Sequence, residues 1–357
     1  MFILNSRFLT QNLTGVQRYG YELFKQLSNS QLDFRCFLPN QPVNNTYQVD
    51  QQIDLQKIGK NQSHVWEQID LPSYLRKNGS PLLLNLCNTA PLFYKNQIVT
   101  VHDIAYMRGN WHSRSFRAFY KTVIPKVIKN SHHVITVSEF SKQEIMSAYG
   151  TPGEKISVIY NAPFIANTLT DATEIEKMVL DKPFILSVGS MDLRKNLKRL
   201  IQAFLLLKNK NIKLLLTGSH HTNFKSDPEL GILLNNNKDR IVFLGYRTDA
   251  ELTYLYKNAL CFVYPSLYEG FGIPPIEAMM NNCPVVTSNV SSLPEVCGDG
   301  ALYCDPLSIN DIAASINTMI ENQDQRAKYI LAGAKNASKY SWQLSGDKLK
   351  TLINNYI

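Results

Sequence analysis

No run of about 18 consecutive apolar residues occurs in the 357-residue chain, so no segment reads as a membrane-spanning helix. The start, Met1 to Arg7, lacks the charged leader and longer apolar core of a secretory signal. It reads as a buried strand, and a cytoplasmic protein is expected. The cysteines at 36, 87, 261, 283, 297 and 304 form no C-x-x-C pair and no zinc-like spacing with histidine. No zinc site is read from this spacing, a disulfide framework is disfavoured, and buried free thiols are expected. No Asp-x-Asp triplet occurs, so a divalent cation lacks the paired carboxylates it favours. Internal repeats and low-complexity tracts are missing as well. What is present is an excess of positive charge, +8 overall. Such a charge suits nucleic acid, anionic lipid or a phosphorylated substrate, or serves solubility alone.

The length suits two domains, and 44% hydrophobic with 18% charged residues is ordinary for a folded protein. Short, mostly apolar runs alternate with helical patterns. In the first half these runs are 2–4, 34–37, 82–86, 98–101, 134–137 and 156–159, with helical patterns such as 19–27 and 140–148 between them. In the second half the runs are 184–188, 213–217, 241–244, 261–264, 285–287 and 302–304, with helices at 197–207 and 309–321. Residues 162–182 break the rhythm with Pro163, Asn167, Thr168 and Thr170, and read as the linker. Residues 340–357 are again helical. Runs buried on both faces and alternating with helices predict two doubly wound α/β domains, whose ligands bind at the carboxyl ends of strands.

The window Pro265-Ser266-Leu267-Tyr268-Glu269-Gly270-Phe271-Gly272-Ile273-Pro274-Pro275-Ile276-Glu277-Ala278-Met279 follows such a strand. It predicts a glycine-containing turn and a helix start that tolerates proline. Backbone N–H groups there suit a phosphate or a sugar hydroxyl. Glu269 in the turn and Glu277 on the helix are placed to hold hydroxyl pairs along one ligand. Ordinary turn and helix roles explain the same spacing equally well. A second window, Ser187 to Asn196, carries Arg194-Lys195 after a strand. The pair suits a pyrophosphate, and a solvated basic turn is the competing reading. In the first half, Gly15 precedes a helix, and His102 ends a strand where it faces a ligand or is structurally bonded.

The window P-S-x-x-E-G-F-G-x-P-x-x-E-A-M resembles the E-G-F-G-x-x-x-x-E pattern of retaining glycosyltransferases of the GT-B fold, family 4. The segments Cys283 to Ser288, Leu293 to Val296 and Gly298 to Ala301 are similar to that family too, as are the R-K-N segment, the Gly15 loop and the His102-Asp103 pair. The resemblance covers nearly the whole chain. It implies two Rossmann-like domains facing across a cleft: 1–165 for the acceptor, joined by 340–357, and 166–339 for the nucleotide-sugar. The final helix is then expected to return to the first domain. It further implies that Glu269 and the 270–272 backbone (Gly270, Phe271, Gly272) contact the donor sugar, that Glu277 holds the ribose and that Arg194 and Lys195 meet the phosphates. Gly15 and His102 border the sugar, giving His102, Lys195 and Glu269 the catalytic positions. Many relatives carry Arg immediately after Gly189, where this chain has Ser190, so more rests on Lys195 and Arg194.

The expected activity is hexose transfer with retention, without a metal or other cofactor, from a nucleotide-sugar of the GDP-mannose type. The acceptor is a saccharide or lipid-linked saccharide, in polysaccharide or O-antigen assembly, as implied by relatives that share the start from Arg7 to Tyr19. Residues 111–129 interleave Arg114, Arg117, Lys121, Lys126 and Lys129 with aromatic and apolar residues. The stretch reads either as a peripheral contact with the anionic inner face of the cell membrane or as a solvated helix packing its apolar side inward. Two alternatives are another GT-B enzyme, an epimerase or phosphorylase, and a basic nucleic-acid-binding module. The paired carboxylates disfavour the latter, and no nucleic-acid partner is expected.

Overall fold

The computed structural model describes residues 1–50, 53–164, 175, 182–218 and 228–357. Most of the expected linker, 162–182, lies outside the described residues. The chain divides into two compact units. Unit 1 comprises Met1–Met107, Arg117–Asn161 and Ser341–Ile357; unit 2 comprises Arg108–Phe116 and Ala162–Tyr340.

Unit 1 is built on a parallel sheet of seven strands: β1 (Phe2–Asn5), β2 (Phe34–Leu38), β3 (Leu55–Lys57), β4 (Leu83–Asn85), β5 (Gln97–Thr100), β6 (His133–Thr136) and β7 (Ile156–Val158). Their order is β3-β2-β1-β4-β5-β6-β7. Every residue of β1, β4, β5 and β6 is buried, as expected for parallel strands covered on both faces. The edge strand β3 was not foreseen. Its three residues, Leu-Gln-Lys, are half-buried or exposed and give no apolar run. The helix Trp342–Asn354 belongs to this unit, as expected for a returning C-terminal helix. Ser345 Oγ donates to the Tyr160 carbonyl at 2.8 Å. A Cβ on Gly346 would lie 2.5 Å from Gln26 Cβ, so the helix needs glycine where it crosses Gly15–Ser28.

Unit 2 repeats the plan with β8 (Phe184–Val188), β9 (Lys213–Thr217), β10 (Ile241–Gly245), β11 (Phe262–Tyr264), β12 (Val285–Ser288) and β13 (Ala301–Cys304). The order is β10-β9-β8-β11-β12-β13, all parallel. The helix Leu197–Leu206 drives Leu200, Ile201 and Phe204 into a core shared with Leu214, Leu216, Ile312 and Ile316. Each such side chain contributes roughly 1.5–3 kcal/mol by leaving water.

In each unit, the strand order reverses beside the first strand of its sheet. Chain leaving β1 turns one way and chain leaving β4 the other; β8 and β11 repeat the arrangement. The loops there diverge and leave a crevice at the carboxyl ends, where doubly wound sheets bind ligands.

Candidate functional site

In unit 2 the crevice between β8 and β11 receives two loops. Residues 189–196 follow β8, and 265–272 follow β11. In the first loop, Asp192 caps a short helical turn, Leu193–Lys195, by accepting from the Arg194 backbone N–H. Ser190, in place of the family's arginine, donates its hydroxyl to Asp192 Oδ2 and so reinforces the cap. Asn196 then takes a left-handed conformation, φ 60°, which asparagine tolerates. Its side-chain amide donates to the carbonyls of Pro265 (2.9 Å) and Pro306 (2.7 Å). The asparagine of R-K-N therefore ties the two loops together.

The second loop places Glu269 against both cations of the first. Arg194 Nη1 lies 2.7 Å from Glu269 Oε2, and Lys195 Nζ lies 2.7 Å from Glu269 Oε1. Arg194 Nη1 also donates to the Tyr268 carbonyl at 2.9 Å. The hydroxyls of Tyr264 (2.9 Å) and Ser266 donate to Glu269 Oε1, and Lys195 also reaches the Tyr264 hydroxyl. Burial alone would push the Glu269 carboxyl up. Arg194, Lys195 and the Ser266 hydroxyl outweigh that and hold it at about 2. Burial lowers Lys195 from its ordinary value, with Arg194 adding to the effect and Glu269 opposing it. The basic turn is therefore neither solvated nor unengaged: its side chains are about nine-tenths buried and preorganised around one carboxylate.

The glycine turn is held from behind. Ser292 Oγ donates to the carbonyls of Glu269 (2.9 Å) and Phe271 (2.8 Å), and the Glu269 N–H donates to Ser291 Oγ at 3.0 Å. Gly272 caps the helix Ile273–Met280 with φ 101°, and a Cβ there would lie 2.7 Å from Leu293 Cδ2. Gly270 and Phe271 are buried in the same turn. Glu277 sits on that helix and accepts the Tyr256 hydroxyl at 3.2 Å. Tyr256 and Tyr264 are core by the apolar reading of their segments. Their hydroxyls nevertheless reach the two carboxylates, and they, with Ser266, Ser291 and Ser292, were not among the sequence candidates. No short-range pattern announces them, since the bonds cross between elements.

In unit 1, Gly15 is the first residue of the helix Gly15–Ser28, and a Cβ there would meet nothing within 4 Å. Packing does not demand this glycine. His102 follows β5 and is 6% exposed. Its Nε2 is 3.3 Å from the Leu86 carbonyl, its N–H donates to Asn88 Oδ1, and Tyr19 meets its ring edge-on at 4.8 Å. Burial lowers its pKa to about 4, opposed by the Leu86 carbonyl, so the ring is neutral at pH 7. With Nε2 donating to Leu86, Nδ1 is left as the acceptor. In the helix Arg114–Asn130, Val123, Ile124, Val127 and Ile128 are buried, while Lys121, Lys126, Lys129 and Phe119 are exposed. The apolar stripe thus packs inward. Among the described residues no helix is long and apolar enough to cross a membrane, and no group of three or more His, Cys, Asp or Glu is placed to hold a metal.

Comparison with known proteins agrees with this architecture. A model described as Glycosyltransferase Family 4 matches residues 13–162, and one described as Glycosyl transferases group 1 matches 171–336. The chain is 31% identical over 268 residues to O-antigen chain mannosyltransferase B of Escherichia coli, covering 71% of this chain and 70% of that one. It is 32% identical over 272 residues to O-antigen chain mannosyltransferase RfbU of Salmonella typhimurium, covering 76% and 71%. Anabaena HepE, solved in complex with UDP-glucose, superposes with a TM-score of 0.78 at 17% identity over 99% of both chains, a likeness of fold. Two doubly wound units in one chain, and sequence similarity running through both, lead to one assignment: the chain belongs to the family 4 (group 1) glycosyltransferases of the GT-B fold.

Proposed function

We propose that the chain transfers a hexose from a nucleotide-sugar to a saccharide or lipid-linked saccharide in polysaccharide or O-antigen assembly, with retention and without a metal ion. The observation that carries this reading is Glu269 held between Arg194 and Lys195 at the β8/β11 crevice. An arriving diphosphate competes with Glu269 for these cations. Lys195 and Arg194 then neutralise charge as it grows on the departing phosphate, an interaction stronger in the transition state than in the bound donor. Glu269, released toward the sugar, and the 270–272 backbone orient the hexose. Glu277 takes the ribose hydroxyls, with Tyr256 fixing its carboxylate. Neutral His102 offers Nδ1 to a donor-sugar hydroxyl, and Gly15 leaves room for the ligand to approach the backbone. Two fixed cations supply the charge that a divalent ion supplies elsewhere. The acceptor hydroxyl attacks from the leaving-group face, and the departing phosphate oxygen takes its proton.

GDP-mannose is the preferred donor candidate, because the two relatives named above are called mannosyltransferases. Attachment to the anionic inner face of the membrane would rest on Lys121, Lys126 and Lys129 rather than on the inward apolar stripe. The reading is tested by following donor hydrolysis by proton NMR in EDTA, with water as acceptor. The α anomer should be released first from GDP-mannose. The β anomer first, or turnover only with added divalent ion, would contradict it.

A further inference from the structure

In unit 1 the equivalent crevice, between β1 and β4, is also built around an ion pair. Asn5, the last residue of β1, donates to Asn85 Oδ1, the last residue of β4, at 2.9 Å and to Glu67 Oε1 at 3.1 Å. Arg7, two residues beyond β1, approaches Glu67 Oε1 through Nε at 3.2 Å and donates through Nη2 to Thr89 Oγ1 at 2.9 Å. The Arg7 side chain is 93% buried by its 7% exposure, and its Nη1 has no hydrogen-bond partner; nor has Glu67 Oε2. Burial pushes the Glu67 carboxyl up, but Arg7, His64 and Thr89 hold it below its ordinary value.

Glu67 lies in a π-helical turn, Trp66–Asp70, a rare geometry found often at functional sites. Three residues before the turn, Ser63 is held at φ 54°, a costly conformation for a residue other than glycine. The strain is pinned from both sides. Trp66 Nε1 donates to the Ile58 carbonyl at 2.7 Å, and Asp70 Oδ2 accepts from the Asn61 N–H at 2.7 Å. The product of this arrangement is the placement of His64. Its Nδ1 is buried 3.5 Å from Glu67 Oε2, yet 40% of the side chain is exposed. With Nδ1 buried, Nε2 is the ring nitrogen left to meet a ligand. The Phe119 ring, 37% exposed, stands 5.0 Å from the His64 ring.

We infer that the β1/β4 crevice of unit 1 is a second ligand site, in which His64, backed by Glu67 and Arg7, binds a hydroxyl of a neutral sugar stacked on Phe119. The inference rests on the glycosyltransferase reading and adds to it the residues that recognise the acceptor. Arg7 and Glu67 cancel each other's charge, so the site offers no net cation for a phosphate. An aromatic face beside a directional hydrogen-bonding group suits the apolar face and hydroxyl edge of a pyranose. Glu67, 3.5 Å from Nδ1, draws that nitrogen inward by charge rather than by a formed hydrogen bond, a positioning role, while His64 and Phe119 touch the ligand.

The test is saturation-transfer NMR of the full chain with methyl α-mannopyranoside as the probe. It is run on wild type, His64→Ala and Phe119→Ala, whose partly exposed sites spare the fold, and on Glu67→Gln with thermal melts. GDP and UDP binding are followed separately as a report on unit 2. Wild type should bind the glycoside, and each of the two alanine variants should weaken it about two- to tenfold, the range of one hydrogen bond or ring contact. Absence of glycoside binding by wild type, unchanged binding in both alanine variants, or displacement by an equal concentration of inorganic phosphate would overturn the inference. Failure of GDP and UDP alike to bind would instead sink the donor reading of unit 2.

Discussion

Lys195 and Glu269, 74 residues apart in the chain, meet at 2.7 Å because β8 and β11 are neighbours in the sheet and each feeds its loop into the same crevice. Neither residue is exposed enough for the pair to be ornamental; their side chains are 10% and 8% accessible. The pair is a cost to the folded protein unless both charges are satisfied, and a ligand that takes one cation must compensate.

Replacing Glu269 by glutamine keeps its volume and leaves Arg194 and Lys195 without their anion. Breaking a buried pair from one side costs about 3–5 kcal/mol, and a loss near the lower end is expected because the amide still accepts one bond. Thermal or urea unfolding measures it. An unchanged midpoint would mean that the two cations find other partners.

The same carboxylate sets a pH dependence. Its folded value, about 2, lies below the ordinary 4.5, so between these the unfolded chain binds more protons than the folded one. Stability from this group is present above 4.5 and drains away as pH falls toward 2. Melting curves across that window should show a steeper loss for wild type than for Glu269→Gln. Parallel curves would show that other carboxylates dominate acid unfolding.

Gly15→Ala separates packing from function. The added methyl meets nothing in unit 1, and alanine is the better helix former, so stability should hold or rise by up to about 1 kcal/mol. Transfer activity should nevertheless fall, because the methyl occupies space reserved for a ligand. Full activity in a stable variant would remove Gly15 from the site.

Tyr264→Phe removes the hydroxyl that reaches Glu269 and Lys195. Two charge-assisted bonds are lost, one to the carboxylate and one from the ammonium, and kcat should fall by roughly three- to thirtyfold with the fold intact. Steady-state kinetics on the donor identified first would read it. An effect confined to thermal stability would make Tyr264 a core residue only.

The alternation of apolar runs and helices was legible because strands buried on both faces carry it in their own composition. β8 and β9 fall where 184–188 and 213–217 were expected. β3 escaped because an edge strand need not be apolar. Glu269 and the Arg194-Lys195 pair stood out through their motifs, but their mutual engagement did not, since it depends on which strands lie side by side. The basic pair read as either a phosphate clamp or a solvated turn; it is buried and bound to a carboxylate. Tyr264 was hidden by its ring, which belongs to the core while its hydroxyl belongs to the site. Arg7 and Glu67 are 60 residues apart, and the π-helical turn that joins them leaves no periodic trace.

The most direct test of the central claim is donor binding by the full chain in EDTA, measured by calorimetry for wild type and Lys195→Ala against GDP-mannose and UDP-glucose. The account predicts that wild type binds one of them and that Lys195→Ala, still folded, binds it about ten- to a hundredfold more weakly, as for one lost charged hydrogen bond. Equal affinity in the folded variant would contradict the assignment of the β8/β11 crevice as the donor site.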